Sequence, residues 1–146
     1  MSTQTEEIEK LIGILKMWQR IENESILNTT EIIKKTKNPL VKFVMEIIRQ
    51  DSAMHNRIQQ FIVDNFEKNP ISVFPSELND YWELVKHHEE LEEKTVELAH
   101  ESMEGTTSIY SKYLLNYLLT DEKKHVTLVK ELEKIKNGEY PYGSIK

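Results

Sequence analysis

Four long stretches of the chain carry apolar residues at alternating steps of three and four, the spacing that keeps side chains on one face of a helix. The first stripe runs through Leu11, Leu15, Trp18, Glu22, Ser25, Thr29 and Ile32, and the second through Val41, Val44, Ile48, Asp51, His55, Ile58 and Ile62. The third follows Tyr81, Val85, His88, Glu92, Thr95 and Ala99, and the fourth Leu114, Leu118, Asp121, His125, Leu128, Leu132 and Ile135. Helix-breaking punctuation separates them. Thr3 with Glu6 fits a capping box, and Asn38-Pro39 ends the first stretch because the residue before proline leaves the α region. Pro70 and Pro75 bracket an extended connection, Ser76 is a reasonable N-cap, Gly105 suits a helix end, and Thr106, Thr107 or Ser108 caps the last helix before Asn137-Gly138. The pattern predicts helices over 4–37, 40–66, 76–104 and 107–136, so residues 1–138 should form an all-α four-helix bundle and 139–146 a C-terminal tail. Short connections after the first and third helices make two helical hairpins. The Pro-containing segment between them, if extended, can just span a bundle of roughly 35–40 Å as a crossover, and a simple up-down-up-down bundle is the alternative.

Each stripe is apolar at its ends and polar in its middle. At about 100° per residue, Glu22, Asp51 and Asp121 fall within roughly 20° of the mean apolar direction of their helices. Their depths also agree. Glu22 precedes Asn38 by 16 residues, and Asp51 and His55 follow Pro39 by 12 and 16, which places all three about 18–24 Å from that turn. An isolated carboxylate in a bundle core costs several kcal/mol unless it takes up a proton or meets a cation.

The polar positions repeat. Adding 70 to Glu22, Asp51 and His55 gives Glu92, Asp121 and His125. The same offset carries Leu11 to Tyr81, Leu15 to Val85, Ile21 to Leu91, Ser25 to Thr95, Ile48 to Leu118 and Ile58 to Leu128. One hairpin is used twice, related by a pseudo-twofold.

Composition narrows the chemistry. Cysteine is absent from the 146 residues, which excludes disulfide scaffolds, thiolate metal sites and thiol catalysis. A formal charge of −6 argues against a nucleic-acid or anionic-membrane partner. The acidic, polar N-terminus has neither the basic region nor the apolar run of a signal peptide, and no apolar stretch approaches a membrane span, so a cytoplasmic protein is expected.

Two carboxylates from two helices, with a carboxylate–imidazole pair from each of the other two, make up the ligand set of a dinuclear carboxylate site in a bundle core. Through these six residues, the repeat and the connection pattern, residues 5–137 resemble the ferritin-like superfamily, in particular its small rubrerythrin-like members. The resemblance implies a ferritin-like bundle with a crossover, a metal site formed by Glu22, Asp51, His55, Glu92, Asp121 and His125, and two iron or manganese ions per chain. It further implies oxidation of Fe(II) or reduction of O₂ or peroxide, so the partners would be metal ions with O₂ or peroxide, and a homo-oligomer is expected.

One departure from the family bears on the ligands. The family carries Glu-x-x-His on its second and fourth helices, whereas Asp51–His55 and Asp121–His125 are four apart. A literal Glu-x-x-His occurs at Glu122–His125, but its repeat partner is Ser52. Periodicity favours Asp121 over Glu122 as the ligand, with Glu122 off the seam. His88, one turn before Glu92, is expected as a core or supporting residue more than as a ligand. Trp18, Tyr113 and Tyr117 are expected to pack inward. A metal-free bundle serving as a binding or oligomerisation module remains the alternative, in which the buried acids are satisfied by His and Tyr. A haemerythrin-type carrier wants about five converging imidazoles and ranks last.

Overall fold

The computed structural model describes residues 3–139, and these are helical apart from caps and connections. Four long helices carry the chain: α1 (Gln4–Lys35), α2 (Pro39–Glu67), α4 (Trp82–Glu104) and α5 (Ile109–Lys136), with a single turn α3 (Pro75–Leu78) and a 3₁₀ turn (Asn79–Tyr81) leading into α4. The chain divides into two compact units, one ending at Ile71 and the other starting at Ser72. The first is the α1–α2 hairpin, and the second is the α4–α5 hairpin with α3 packed on α5. The tail from Tyr140 onward lies outside the described residues.

The caps explain the boundaries. Thr3 Oγ1 accepts from the Glu6 amide at 3.1 Å, satisfying one of the orphan donors of the α1 N-terminus. Asn38, expected only as a breaker, caps α2. Its Oδ1 accepts from the amides of Leu40 at 2.9 Å and Val41 at 3.2 Å, and Pro39 is the first helical residue, where its missing N–H costs nothing. Ser108 caps α5 by accepting from the Ser111 amide at 3.2 Å. At the other end of α5, Gly138 with φ 73° takes the left-handed conformation that lets the chain leave the helix.

The third predicted helix differs from expectation. A continuous helix over 76–104 is replaced by α3, the 3₁₀ turn and then α4. Pro75 stands at the first helical position, and Glu77 accepts from the Phe74 amide at 2.8 Å. Asn79 and Asp80, side chains that compete with helical hydrogen bonding, coincide with the tightening to 3₁₀. Leu78 and Trp82, at either end of that turn, are both buried, and the Lys136 ammonium lies 5.4 Å from the Trp82 ring centroid.

In the first hairpin, the buried residues of α1 are Leu15, Glu22 and Thr29, spaced by sevens, and those of α2 are Ser52, Gln59 and Val63. Seven-residue recurrence is the signature of two helices packed along a narrow seam. This seam is polar at its centre. Gln19 donates to Asn56 Oδ1 at 3.3 Å and Gln60 Oε1 at 3.0 Å, and Asn56 donates back to the Gln19 carbonyl at 3.3 Å. In the second hairpin, the buried residues are Leu78, Trp82, Glu92, Ala99 and Leu119.

A second, apolar face of each hairpin is exposed, and it is the same face in both. Leu11 and Tyr81, Ile14 and Leu84, Ile21 and Leu91, Ile48 and Leu118, and Ile58 and Leu128 are pairs 70 apart, and every member is exposed. Trp18 and Tyr113, expected inside, are also more than half exposed, at 51% and 58%. They stand on the outer apolar flank, away from the seam that each helix shares with its hairpin partner. No helix among the described residues is long and apolar enough to cross a membrane.

Candidate metal centre

Glu22 and Glu92 hold equivalent places in the two hairpins, 8% and 7% exposed respectively. Each meets the imidazole that the repeat assigns to it. His55 Nδ1 lies 3.0 Å from Glu22 Oε2, and His125 Nδ1 lies 3.3 Å from Glu92 Oε1. The hydroxyl one turn further along repeats too. Ser25 Oγ is 2.9 Å from Ser52 Oγ, and Thr95 Oγ1 is 2.9 Å from Glu122 Oε2. The 70-residue offset is therefore written into contacts as well as into sequence.

The two copies diverge at the second partner. In the second hairpin, one carboxylate oxygen each from Glu92 and Glu122 and a ring nitrogen of His125 lie within 4.8 Å of one another. Glu122, expected off the seam, thus lies on the α4-facing side of α5. In the first hairpin the equivalent position is Ser52, buried and hydroxyl-bonded.

Asp121 takes a different position around the same imidazole. Its Oδ2 lies 3.6 Å from His125 Nε2 and its Oδ1 3.1 Å from the Lys124 ammonium. His125 therefore turns Nδ1 toward the two glutamates and Nε2 toward Asp121. Asp51 is half-buried on α2, one turn before His55. His88 Nε2 sits 2.8 Å from Glu92 Oε1 with its own side chain 56% exposed, so it is a supporting residue at the edge of the cluster and not a core histidine. Tyr117 is half-buried, while His100 and the lysines 34, 35 and 37 are exposed, as solvated positions should be.

Electrostatics concentrate on one pair. Glu92 Oε1 has both His88 and His125 as partners, whereas its buried Oε2 has no hydrogen-bond donor among the described residues. The carboxyl beside it is Glu122. Glu122 is pushed above its ordinary value of 4.5, first because its protonated form donates a hydrogen bond to Glu92 and second because it is buried; the Thr95 hydrogen bond opposes the shift. Glu92 is held below 4.5, first by accepting that hydrogen bond and then, against the effect of burial, by the charges of His125 and His88. One proton on Glu122, shared with Glu92, is the metal-free solution for two carboxylates at this distance.

No family model, curated protein or solved structure matches the chain. The functional reading therefore rests on the site alone. Two carboxylate oxygens and one imidazole nitrogen, with a buried oxygen that has no donor, suit a divalent first-row cation, since imidazole with carboxylate is accepted by iron, manganese and zinc.

Proposed function

We propose that this chain is a ferritin-like metal-binding protein whose ion, iron or manganese, is held by Glu92, Glu122 and His125. The carrying observation is Glu92 Oε2, a buried carboxylate oxygen with no donor among the described residues, set against a second carboxylate and an imidazole nitrogen within 4.8 Å. Around these ligands the supporting residues have distinct tasks. Thr95 orients Glu122 by donating to its Oε2 at 2.9 Å. His88 fixes Glu92 through Oε1 at 2.8 Å. Asp121, 3.6 Å from His125 Nε2, favours the tautomer whose Nδ1 is free to bind a cation, the usual arrangement of a carboxylate behind a metal-ligating imidazole.

The reading includes the architecture that the resemblance implies. That architecture is a ferritin-like four-helix bundle of two helical hairpins joined by a crossover connection. When bound, the ion supplies one-electron chemistry toward O₂ or peroxide, and Glu122 is the residue placed to give up or take a proton beside it. Elemental analysis of protein purified without chelator, followed by competition between Fe(II) and Mn(II), tests the reading. Expected is a transition metal retained at micromolar concentration and lost in Glu122→Gln. Failure to bind any divalent transition ion at that level refutes it and leaves the metal-free module, which the exposed apolar faces favour.

A further inference from the structure

The repeat invites a symmetric expectation of two half-sites and two ions. The structure breaks that symmetry at one position. Superposed by the offset of 70, the cluster Glu92, Thr95, Glu122 and His125 falls on Glu22, Ser25, Ser52 and His55. Three of the four are chemically equivalent, and the fourth replaces a carboxylate with a hydroxyl.

We infer that the chain carries one cation site and not two: a mononuclear site for a divalent first-row metal on the α4–α5 hairpin, with the Glu22–His55 hairpin as a closed, metal-independent copy. The inference rests on the metal reading above and adds its stoichiometry and its location.

Charge is the first argument. Glu92 and Glu122 together offset a divalent cation, while the first hairpin has the neutral hydroxyl of Ser52 where the second has the Glu122 carboxylate, one negative charge fewer in the seam of a helical hairpin, where an unpaired charge is costly. Donor count is the second. His125 and two carboxylates supply three ligand atoms within 4.8 Å, whereas in the first hairpin no such group of three occurs among the described residues and Glu22 and His55 are already joined at 3.0 Å.

Satisfaction of the buried groups is the third argument. Ser25 and Ser52 bond each other at 2.9 Å, so among the described residues the first copy has no buried polar atom awaiting a partner at the level of Glu22. Its one buried oxygen without a donor among the described residues is Gln59 Oε1, on the residue seven positions beyond Ser52. Gln59 stands one turn beyond His55, about 6 Å along the helix, and its oxygen belongs to a neutral amide that brings no negative charge to offset a cation. The second copy has its unpartnered oxygen on Glu92, within the cluster itself.

The test is a Co(II) titration of the full-length chain, stripped with chelator, followed by visible absorbance of the bound ion and by calorimetry. Expected is one Co(II) per chain. Glu122→Gln and His125→Ala should each weaken binding by more than about tenfold, since direct ligands matter at least as much as their outer partners. His55→Ala should leave affinity and spectrum within about twofold. Ser52→Glu, which restores the missing carboxylate, should add a second Co(II) per chain.

Two ions bound by the unsubstituted chain, or equal weakening by His55→Ala and His125→Ala, overturns the inference while the metal reading survives. Binding of none overturns the metal reading itself. Should Ser52→Glu not fold, as far-ultraviolet circular dichroism would report, the stoichiometry of the unsubstituted chain and the His55→Ala arm decide the question.

Discussion

Replacing Glu122 with glutamine should stabilise the metal-free chain at neutral pH while weakening the proposed metal binding by more than about tenfold. Both effects come from the same oxygen. In the metal-free chain Glu92 Oε2 has no donor among the described residues unless Glu122 holds a proton. The side-chain amide that Glu122→Gln introduces would supply a permanent N–H at nearly the same place. Satisfying a buried unpaired acceptor is worth about 1–3 kcal/mol, and the lower end applies because the Glu122 side chain is 23% exposed. For a chain of this size about 1 kcal/mol corresponds to roughly 3 °C in Tm.

The gain depends on pH, and its sign follows from the two shifts. Glu122 is raised above 4.5, so its proton-dependent stability is fully present below that value and is lost as pH rises through the folded-state pKa. Glu92 is lowered below 4.5, so its contribution is present above 4.5 and lost as pH falls through the lowered value. The pair is most stable near its one-proton state, and above it the unsubstituted chain loses stability that the glutamine variant keeps. The assay is the melting temperature of chelator-treated protein from pH 4.5 to pH 8, read as the difference between variant and parent so that all other titrating groups cancel. The difference should be near zero at the acid end and grow toward pH 8. A difference that is flat across the range, or a variant less stable at pH 8, would show that the two carboxylates do not share a proton.

Other outcomes follow from the same geometry. Adding metal should raise Tm at pH 7.5 by an amount that shrinks toward pH 5, because the cation competes with the shared proton; at a hundred times Kd the gain is about 2.7 kcal/mol, and parallel curves with and without chelator would count against the site. Asp121→Asn should weaken metal binding by about tenfold, the low end for an outer partner, because Asp121 also serves Lys124 and stands 3.6 Å from the imidazole; a loss as large as that of Glu122→Gln in the same titration would make it a ligand. Ser25→Ala should cost about 1 kcal/mol by stranding the buried Ser52 hydroxyl, while Ser25→Ala with Ser52→Ala together should cost less than the sum, as urea unfolding of the four-member cycle will report.

Much of the helical architecture is legible in the chain because its punctuation is local. Asn38-Pro39, Ser108 and Gly138 act through their own backbones and caps, so reading them needs no knowledge of what packs where. The break at Leu78–Trp82 was not legible, since the period of the apolar residues continues through it and masks the weak local signal of Asn79 and Asp80. Glu22, His55, Glu92 and His125 were legible for a different reason. A repeat compares the chain with itself, and it picked out positions whose contacts then recur at 3.0 and 3.3 Å.

The competition between Asp121 and Glu122 shows where averaging over a helix loses information. The mean apolar direction of α5 blends two surfaces. One faces α4 and includes the buried Leu119 and the half-buried Leu115, Val126 and Val129; the other carries Leu118, Leu128 and Leu132, all exposed. Averaged together, they point between the two, toward Asp121. Position 122 lies three residues beyond Leu119 and four before Val126, on the row that meets α4. Asp121 lies three beyond Leu118, on the edge of the outer surface. The second apolar surface that displaced the average exists in the first hairpin as well, at positions 70 earlier, so the same bias drew attention to Asp51 over Ser52. The residue that separates the two hairpins chemically is thus the one beside the residue the average selects: a carboxylate in the second copy, grouped with Glu92 and His125, and a hydroxyl in the first, bonded to Ser25.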